Sequence, residues 1–138
     1  MNFLLDTNVV SEWVKPQPNP AVIAWLDEVD EDRVFVSVVT ITELRYGISR
    51  LAPGRKRTQL EDWLDQDLVA RFEGRVLSID AVVANACGEL LARREGAGRP
   101  LEAMDAYLAA TALVHRLTLV TRNEADFEDS VRWLNPWM

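Results

Sequence analysis

The sequence predicts an α/β fold, a three-layer α/β/α sandwich around a central, mainly parallel sheet of four to five strands. Short apolar or β-branched runs alternate with longer segments of helical spacing, and this alternation is typical of strand–helix–strand units with right-handed crossovers. The chain has 138 residues, of which 49% are hydrophobic and 27% charged. A chain of this length can bury one sizeable core, so we expect a single domain over residues 1–138.

The first half predicts two strands, each followed by helix. Thr7 and Asn8 are good helix-capping residues, and Pro20 suits the first position of a helix. The β-branched run at 33–37 favours a strand. The predicted elements are a strand at 2–5, helices at 9–14 and 21–28, a strand at 33–37 and a helix at 39–51.

The second half continues the alternation. Pro53-Gly54 and Gly74 are breaks that enclose an amphipathic helix, and Asp80 is a suitable N-cap for the helix after the third strand. The predicted elements are a helix at 55–72, a strand at 75–79, helices at 81–94 and 101–116, a strand at 117–121 and a short strand at 131–134.

Four acidic residues occupy positions that are typical of catalytic or metal-binding carboxylates. Asp6 and Asp126 follow apolar strands at opposite ends of the chain, whereas Glu43 and Asp105 lie in helical stretches rich in apolar residues. The ligand crevice of an open parallel sheet lies outside the carboxyl ends of its strands, where the strand order reverses. We therefore expect the two acids that follow strands to meet there.

Several carboxylates in one partly desolvated place raise one another's pKa unless a cation compensates their charge. Two divalent cations would balance four carboxylates, and hard oxygen ligands favour Mg²⁺ or Mn²⁺. Such ions can activate a water that attacks phosphorus and stabilise the leaving oxygen. The pattern therefore predicts metal-assisted phosphodiester chemistry.

Each acid also has a simpler interpretation, because the chain contains 22 acids in all. Asp6 could cap the following helix and Asp126 could cap a turn. Asp105 could pair with a buried arginine, and Glu43 could be a solvated helix residue. The motifs have to be judged together.

The composition bounds the class of function. A net charge of −7 and a pI of about 4.7 argue against a broad basic face for nucleic acid, but acids in a metal site do not exclude a nuclease. Cys87 is the only cysteine, which suits a reducing compartment. The N-terminus lacks the basic segment of a signal peptide, and no apolar run is long enough for a membrane span. We expect a cytoplasmic protein without membrane association.

Four motifs in order carry a resemblance that spans essentially the whole chain. The motifs are Leu4-Leu5-Asp6-Thr7-Asn8, Thr42-Glu43-Leu44-Arg45-Tyr46-Gly47, Asp105-Ala106-Tyr107-Leu108-Ala109-Ala110-Thr111-Ala112, and Leu119-Val120-Thr121-Arg122-Asn123-Glu124-Ala125-Asp126-Phe127. Together they resemble the PIN-domain ribonucleases, and more narrowly the VapC-type toxins of bacterial toxin–antitoxin pairs, FitB-like members included. A PIN-like sheet places the first and fourth strands side by side.

The resemblance implies a metal-dependent endoribonuclease. In that family the acids matching Asp6, Glu43, Asp105 and Asp126 bind one or two Mg²⁺ or Mn²⁺ ions and support hydrolysis of RNA. The same comparison implies that the Thr121 hydroxyl helps to hold a metal-bound water or an acid, with Asn8 and Asn123 lining the same pocket. Met104 departs from the small residue that many relatives have before the third acid, which bears on pocket shape.

Three arginines beside the acidic motifs are candidates for contacts with RNA phosphates, namely Arg45, Arg99 and Arg122. The resemblance further implies a homodimer and a cognate antitoxin that covers the active site, often with a basic side chain among the acids. The terminal residues Trp133, Trp137 and Met138 could contact such a partner or pack over the edge of the sheet.

Two other functions stay open at this stage. An aspartate after the first strand could be the nucleophile of a phosphoryl-transfer enzyme that forms an aspartyl-phosphate, although the only lysines, Lys15 and Lys56, do not follow a later strand. A PIN-like module that binds metal poorly and serves only protein contacts is the non-enzymatic alternative.

Overall fold

A computed structural model describes all 138 residues and contains one five-stranded sheet. The strand order is β3-β2-β1-β4-β5, and every neighbouring pair is parallel. The strands are β1 (Phe3–Leu5), β2 (Val34–Ser37), β3 (Val76–Leu77), β4 (Thr118–Val120) and β5 (Trp133–Leu134). The predicted α/β class is confirmed, and the strand order reverses at β1, which lies between β2 and β4.

Helices connect all of these strands. They are α1 (Thr7–Val10), α2 (Pro20–Glu28), α3 (Val38–Ser49), α4 (Arg55–Asp62), α5 (Val69–Arg71), α6 (Ala81–Gly96), α7 (Ala103–His115) and α8 (Glu124–Phe127). Two 3₁₀ turns lie at Ser11–Val14 and Glu31–Arg33. As predicted, Pro20 opens α2, and the Asp80 carboxylate caps α6 by accepting a hydrogen bond from the Val83 amide at 2.9 Å.

The helix predicted at 55–72 is not continuous. A π-helical segment at Trp63–Leu68 separates α4 from α5. Leu64 and Leu68 are both buried in this segment, so the π-helical turn keeps its apolar residues on the core side. Periodicity alone did not predict this bulge because the apolar spacing across it still matches an α-helix.

The core is divided by the sheet into two layers. Side chains alternate along a strand, so Leu5 and Val120 enter one cluster, whereas Leu4 and Leu119 enter the other. The first cluster packs against α1, α2 and α3 and includes Phe72, and the second packs against α7. Burying each of these leucine side chains contributes about 1.5–3 kcal/mol to the free energy of unfolding.

Cys87 lies in a smaller apolar cluster between α6 and α7. Burial raises the pKa of its thiol. None of the helices combines the length and the apolar character that crossing a lipid bilayer requires.

Candidate active site

The candidate site lies where β1 and β4 end side by side. Leu5 of β1 pairs with Val120 of β4, and the next amide, that of Asp6, donates to the Val120 carbonyl at 2.9 Å. The parallel register therefore brings Asp6 and Thr121 together although 115 positions separate them in sequence.

The Asp6 carboxylate is 5% exposed and has three donors around it. The Thr7 amide donates to Oδ1 at 2.7 Å, the Thr121 hydroxyl donates to Oδ2 at 2.7 Å, and the Asn8 side-chain amide lies 3.5 Å from Oδ2. Asp6 is also the N-cap of α1, so the helix-cap interpretation and the site interpretation describe the same carboxylate.

Burial raises the pKa of Asp6 above its ordinary value, and the charges of Glu43 and Asp126 raise it further. The hydrogen bonds from Thr121 and from the Thr7 amide act in the opposite direction. A carboxylate in this balance holds its negative charge at a cost that a nearby cation would remove.

Glu43 lies on α3 and is held by a residue that the sequence indicated only as a helix cap. The Thr7 hydroxyl donates to Glu43 Oε1 at 2.6 Å, and it also lies 3.3 Å from the Thr40 hydroxyl. Thr7 thus contacts two site acids, Asp6 through its amide and Glu43 through its hydroxyl. Its position next to Asp6 in the first motif was the only signal of this role in the sequence.

Asp105 lies in the first turn of α7 and is half-buried. Burial raises its pKa to about 6, and the charges of Asp6, Glu102, Asp126 and Glu43 raise it in that order. The four predicted acids therefore share one electrostatic environment. The alternative that Asp105 pairs with a buried arginine is wrong, because the buried Arg94 pairs with Asp129.

Asp126 does not directly follow β4, because it lies in the short helix α8 and its side chain is exposed. The turn before it is tied to the site by Asn123, whose amide donates to the Thr121 hydroxyl oxygen at 3.0 Å. The Arg122 amide lies 3.5 Å from the Asn8 side-chain oxygen. The predicted supporting residues Asn8, Thr121 and Asn123 thus form one network around Asp6.

The side chains of the acids are not drawn together around a point. No group of three or more Asp, Glu, His or Cys side chains stands in an arrangement that would hold a metal ion. The donor set is nevertheless entirely of hard oxygen, with four carboxylates and two threonine hydroxyls, and it contains no lysine or arginine that neutralises the acids. This chemistry fits Mg²⁺ or Mn²⁺.

The three arginines proposed for phosphate contacts lie in different surroundings. Arg45 pairs with Asp65 and Arg99 pairs with Asp129, and both pairs are exposed. The Arg122 guanidinium lies over the Trp137 ring at 5.4 Å. Trp137 itself packs against the first core cluster, so this part of the C-terminal segment covers the chain's own core.

A cavity of about 490 Å³ opens beside Glu43. It is lined by Thr7, Thr42, Glu43, Tyr46 and Met104. Met104 therefore does shape the space next to the acids, as its unusual place in the third motif suggested.

The sequence did not single out one buried acid, Glu12, which follows α1. Glu12 is 1% exposed, pairs with Lys15 and accepts a hydrogen bond from the Asn19 amide at 2.8 Å. Burial opposes its ionisation, but Lys15, the Asn19 amide and the charge of Arg122 together hold the pKa of Glu12 below its ordinary value. Its signal in the sequence was an acid in the segment 9–14, in which Ser11 is the only other polar residue.

An all-parallel sheet whose central carboxyl edge gathers acidic residues from four separate segments defines a PIN-type α/β protein. The sequence model of the PIN-domain family matches residues 3–130 of the chain. The chain belongs to the PIN-domain family.

Within that family the chain is similar to toxin-related proteins over nearly its full length. It is 41% identical over 136 residues to the toxin FitB of Neisseria gonorrhoeae, with 98% of each chain covered. It is 34% identical to the VapC ribonuclease Y4jK of Sinorhizobium fredii, with 98% of this chain and 97% of the relative covered. In a solved structure of FitAB bound to a DNA fragment, the matching chain superimposes with a TM-score of 0.93 at 38% identity, covering 99% of this chain and 96% of that one.

Proposed function

We propose that this protein is a metal-dependent endoribonuclease that hydrolyses RNA phosphodiester bonds and acts as the toxin of a type II toxin–antitoxin system. The observation that carries the proposal is the common electrostatic environment of Asp6, Glu43, Asp105 and Asp126 at the carboxyl edge of β1 and β4. The similarity to FitB and to a VapC ribonuclease supports the toxin assignment and the choice of RNA as substrate.

The four acids are the groups that would hold one or two Mg²⁺ or Mn²⁺ ions. Such ions would lower the pKa of a bound water and would stabilise the negative charge that develops on the leaving oxygen. The chain's own residues orient the acids. The Thr121 hydroxyl and the Thr7 amide donate to the two oxygens of Asp6, and the Thr7 hydroxyl donates to Glu43 Oε1, so these donors fix how both carboxylates are oriented.

Substrate contacts on the protein are proposed at Arg122, Arg45 and Arg99. Exposed ion pairs contribute little stability, so Arg45 and Arg99 can exchange their carboxylate partners for a phosphate at small cost. Arg122 has no ion pair and adjoins Asn8 through its amide, which makes it the arginine best placed to meet RNA at the acids.

We further propose a cognate antitoxin that covers this site, a homodimer, and a cytoplasmic location. The proposal of a cognate antitoxin is supported by the similarity to FitB and to the FitAB structure. The excess of acids at the site suits a basic side chain from such a partner. Co-expression with the product of a neighbouring gene, followed by light scattering of the purified complex, tests both assemblies.

The central experiment compares RNA ends after brief expression of the wild type and of Asp6→Asn or Asp105→Asn. We expect cleavage with Mg²⁺ by the wild type only, with circular dichroism showing the fold intact in the variants. Asp67→Asn, an exposed acid outside the site, is the matched control and should cut normally. Mg²⁺-dependent cleavage retained by Asp6→Asn would contradict the assignment.

Calorimetric titration with Mn²⁺ separates the enzyme from a non-catalytic PIN-like module. Binding that is lost in Asp126→Asn supports the metal site, whereas no detectable binding by the wild type favours the module. The aspartyl-phosphate alternative lacks a lysine at Asp6, because Lys15 pairs with Glu12 and Lys56 lies on α4. Covalent labelling of Asp6 with phosphate would support the aspartyl-phosphate alternative.

A further inference from the structure

Arg94 is a buried arginine on α6 that the proposed chemistry does not use. It is 6% exposed. Its Nε donates to the Arg99 carbonyl at 2.9 Å, and its Nη1 donates to the Asp126 carbonyl at 2.9 Å and to the Ser130 hydroxyl at 2.8 Å. Its charge is compensated by Asp129, 3.6 Å away.

All of these acceptors lie in two segments of the chain. The Arg99 carbonyl belongs to the loop between α6 and α7, whereas the other partners belong to α8 and the turn after it. A second ion pair, between Arg99 and Asp129, joins the same two segments. Arg94 and Arg99 thus connect the loop that leads into the Asp105 helix with the turn that carries Asp126.

The arrangement favours a positioning role because the bond reaches Asp126 itself. Asp126 lies in a four-residue helix, and its exposed carboxylate makes no hydrogen bond or ion pair, so the position of that carboxylate depends on where the backbone of α8 is held. The planar fork of an arginine can hold several carbonyl and hydroxyl oxygens at set angles, and a lysine cannot reproduce that geometry. Burying a charge costs free energy, and all three hydrogen bonds of the Arg94 side chain are made to two segments that carry candidate site acids.

We propose that Arg94 is a positioning residue that fixes the Asp126 turn relative to the loop before α7, and thereby sets the spacing of Asp126 and Asp105 for a divalent cation. This inference rests on the proposed function, since it assumes that both acids are metal ligands. Arg94 acts only through Asp126 and touches neither substrate nor ion.

The test uses Arg94→Lys, which keeps the charge but removes the fork, in the full chain. Loss of a residue that orients a metal ligand typically weakens metal affinity about 10–100-fold, and we expect a decrease of that size in Mn²⁺ affinity by calorimetry. In the metal-free protein, the amides of residues 126–131 should exchange with solvent about tenfold faster than in the wild type.

Two control variants distinguish positioning from a general loss of stability. Arg93→Lys changes an exposed neighbour on the same helix and should leave Mn²⁺ affinity unchanged. Leu26→Ala removes a buried side chain of α2 in the core cluster that does not contain Phe127 or Val131, so it should lower stability but keep Mn²⁺ affinity within about twofold of the wild type. If Arg94→Lys fails to fold, Ser130→Ala removes one acceptor only and should weaken Mn²⁺ binding several-fold.

The inference is overturned if Arg94→Lys binds Mn²⁺ like the wild type, or if Leu26→Ala weakens binding as much as Arg94→Lys does. A wild type that binds no Mn²⁺ would instead defeat the proposed function. In that case the exchange rates of the metal-free protein still decide whether Arg94 fixes the turn, because unchanged exchange in Arg94→Lys would refute it.

Discussion

Replacement of Asp105 by Asn should stabilise the metal-free protein at alkaline pH while it abolishes cleavage. The pKa of Asp105 is raised from 3.8 to about 6 by burial and by the charges of Asp6, Glu102, Asp126 and Glu43. Because the folded pKa is the higher one, the ionised carboxylate destabilises the fold. The stability that the neutral group contributes is present below pH 4 and is lost as the pH rises through about 6.

The size of the effect follows from the shift. Two pKa units correspond to about 3 kcal/mol, and because Asp105 is only half-buried, solvent screening reduces this to about 1 kcal/mol. For a chain of 138 residues, 1 kcal/mol corresponds to roughly 3–4 °C in Tm. The asparagine variant should therefore melt roughly 3–4 °C above the wild type at pH 8.

The assay is thermal unfolding in EDTA at pH 4 and pH 8, with Asp67→Asn as the exposed control. The difference between Asp105→Asn and the wild type should vanish at pH 4, where the aspartate is protonated. An asparagine variant that melts at or below the wild-type temperature at pH 8, or a gain that is the same at both pH values, would refute the electrostatic reasoning.

Three further outcomes are expected. A divalent cation at 100 times its Kd should stabilise the wild type by about 2.7 kcal/mol, and chemical unfolding with and without Mn²⁺ should show this gain lost in Asp126→Asn. Thr121→Val should cost about 1–3 kcal/mol, since it removes a buried hydrogen bond to the Asp6 carboxylate; urea unfolding should show a smaller loss at acidic pH, where Asp6 is protonated. Cys87 is 2% exposed, so a thiol reagent should label it only when the protein unfolds, and rapid labelling of the native protein would contradict the packing.

The fold was predictable from the sequence where local signals and the tertiary structure agree. The alternation of β-branched runs with helical spacing gave the parallel sheet, and Pro20 and Asp80 marked two helix starts correctly. The ends of β3 were not predictable, because only Val76 and Leu77 pair with β2 although the apolar run extends to Ile79.

The four candidate acids could be selected from the sequence because a charged residue stands out in apolar surroundings. The groups that orient them could not. Thr7 was indistinguishable from an ordinary helix cap until the structure placed its hydroxyl 2.6 Å from Glu43. Arg94 lies among other charged residues at the end of α6, and nothing in its spacing shows that it, rather than Arg93, is buried against Asp126.

The place of β1 in the middle of the sheet has a consequence for folding. Both edges of β1 are paired only after β4, at residues 118–120, has joined the sheet. Until then Asp6 lacks both the neighbouring strand and the hydroxyl of Thr121. The Asp6 end of the candidate site is therefore completed by a long-range contact, and a partly folded chain in which β4 is not yet docked lacks it.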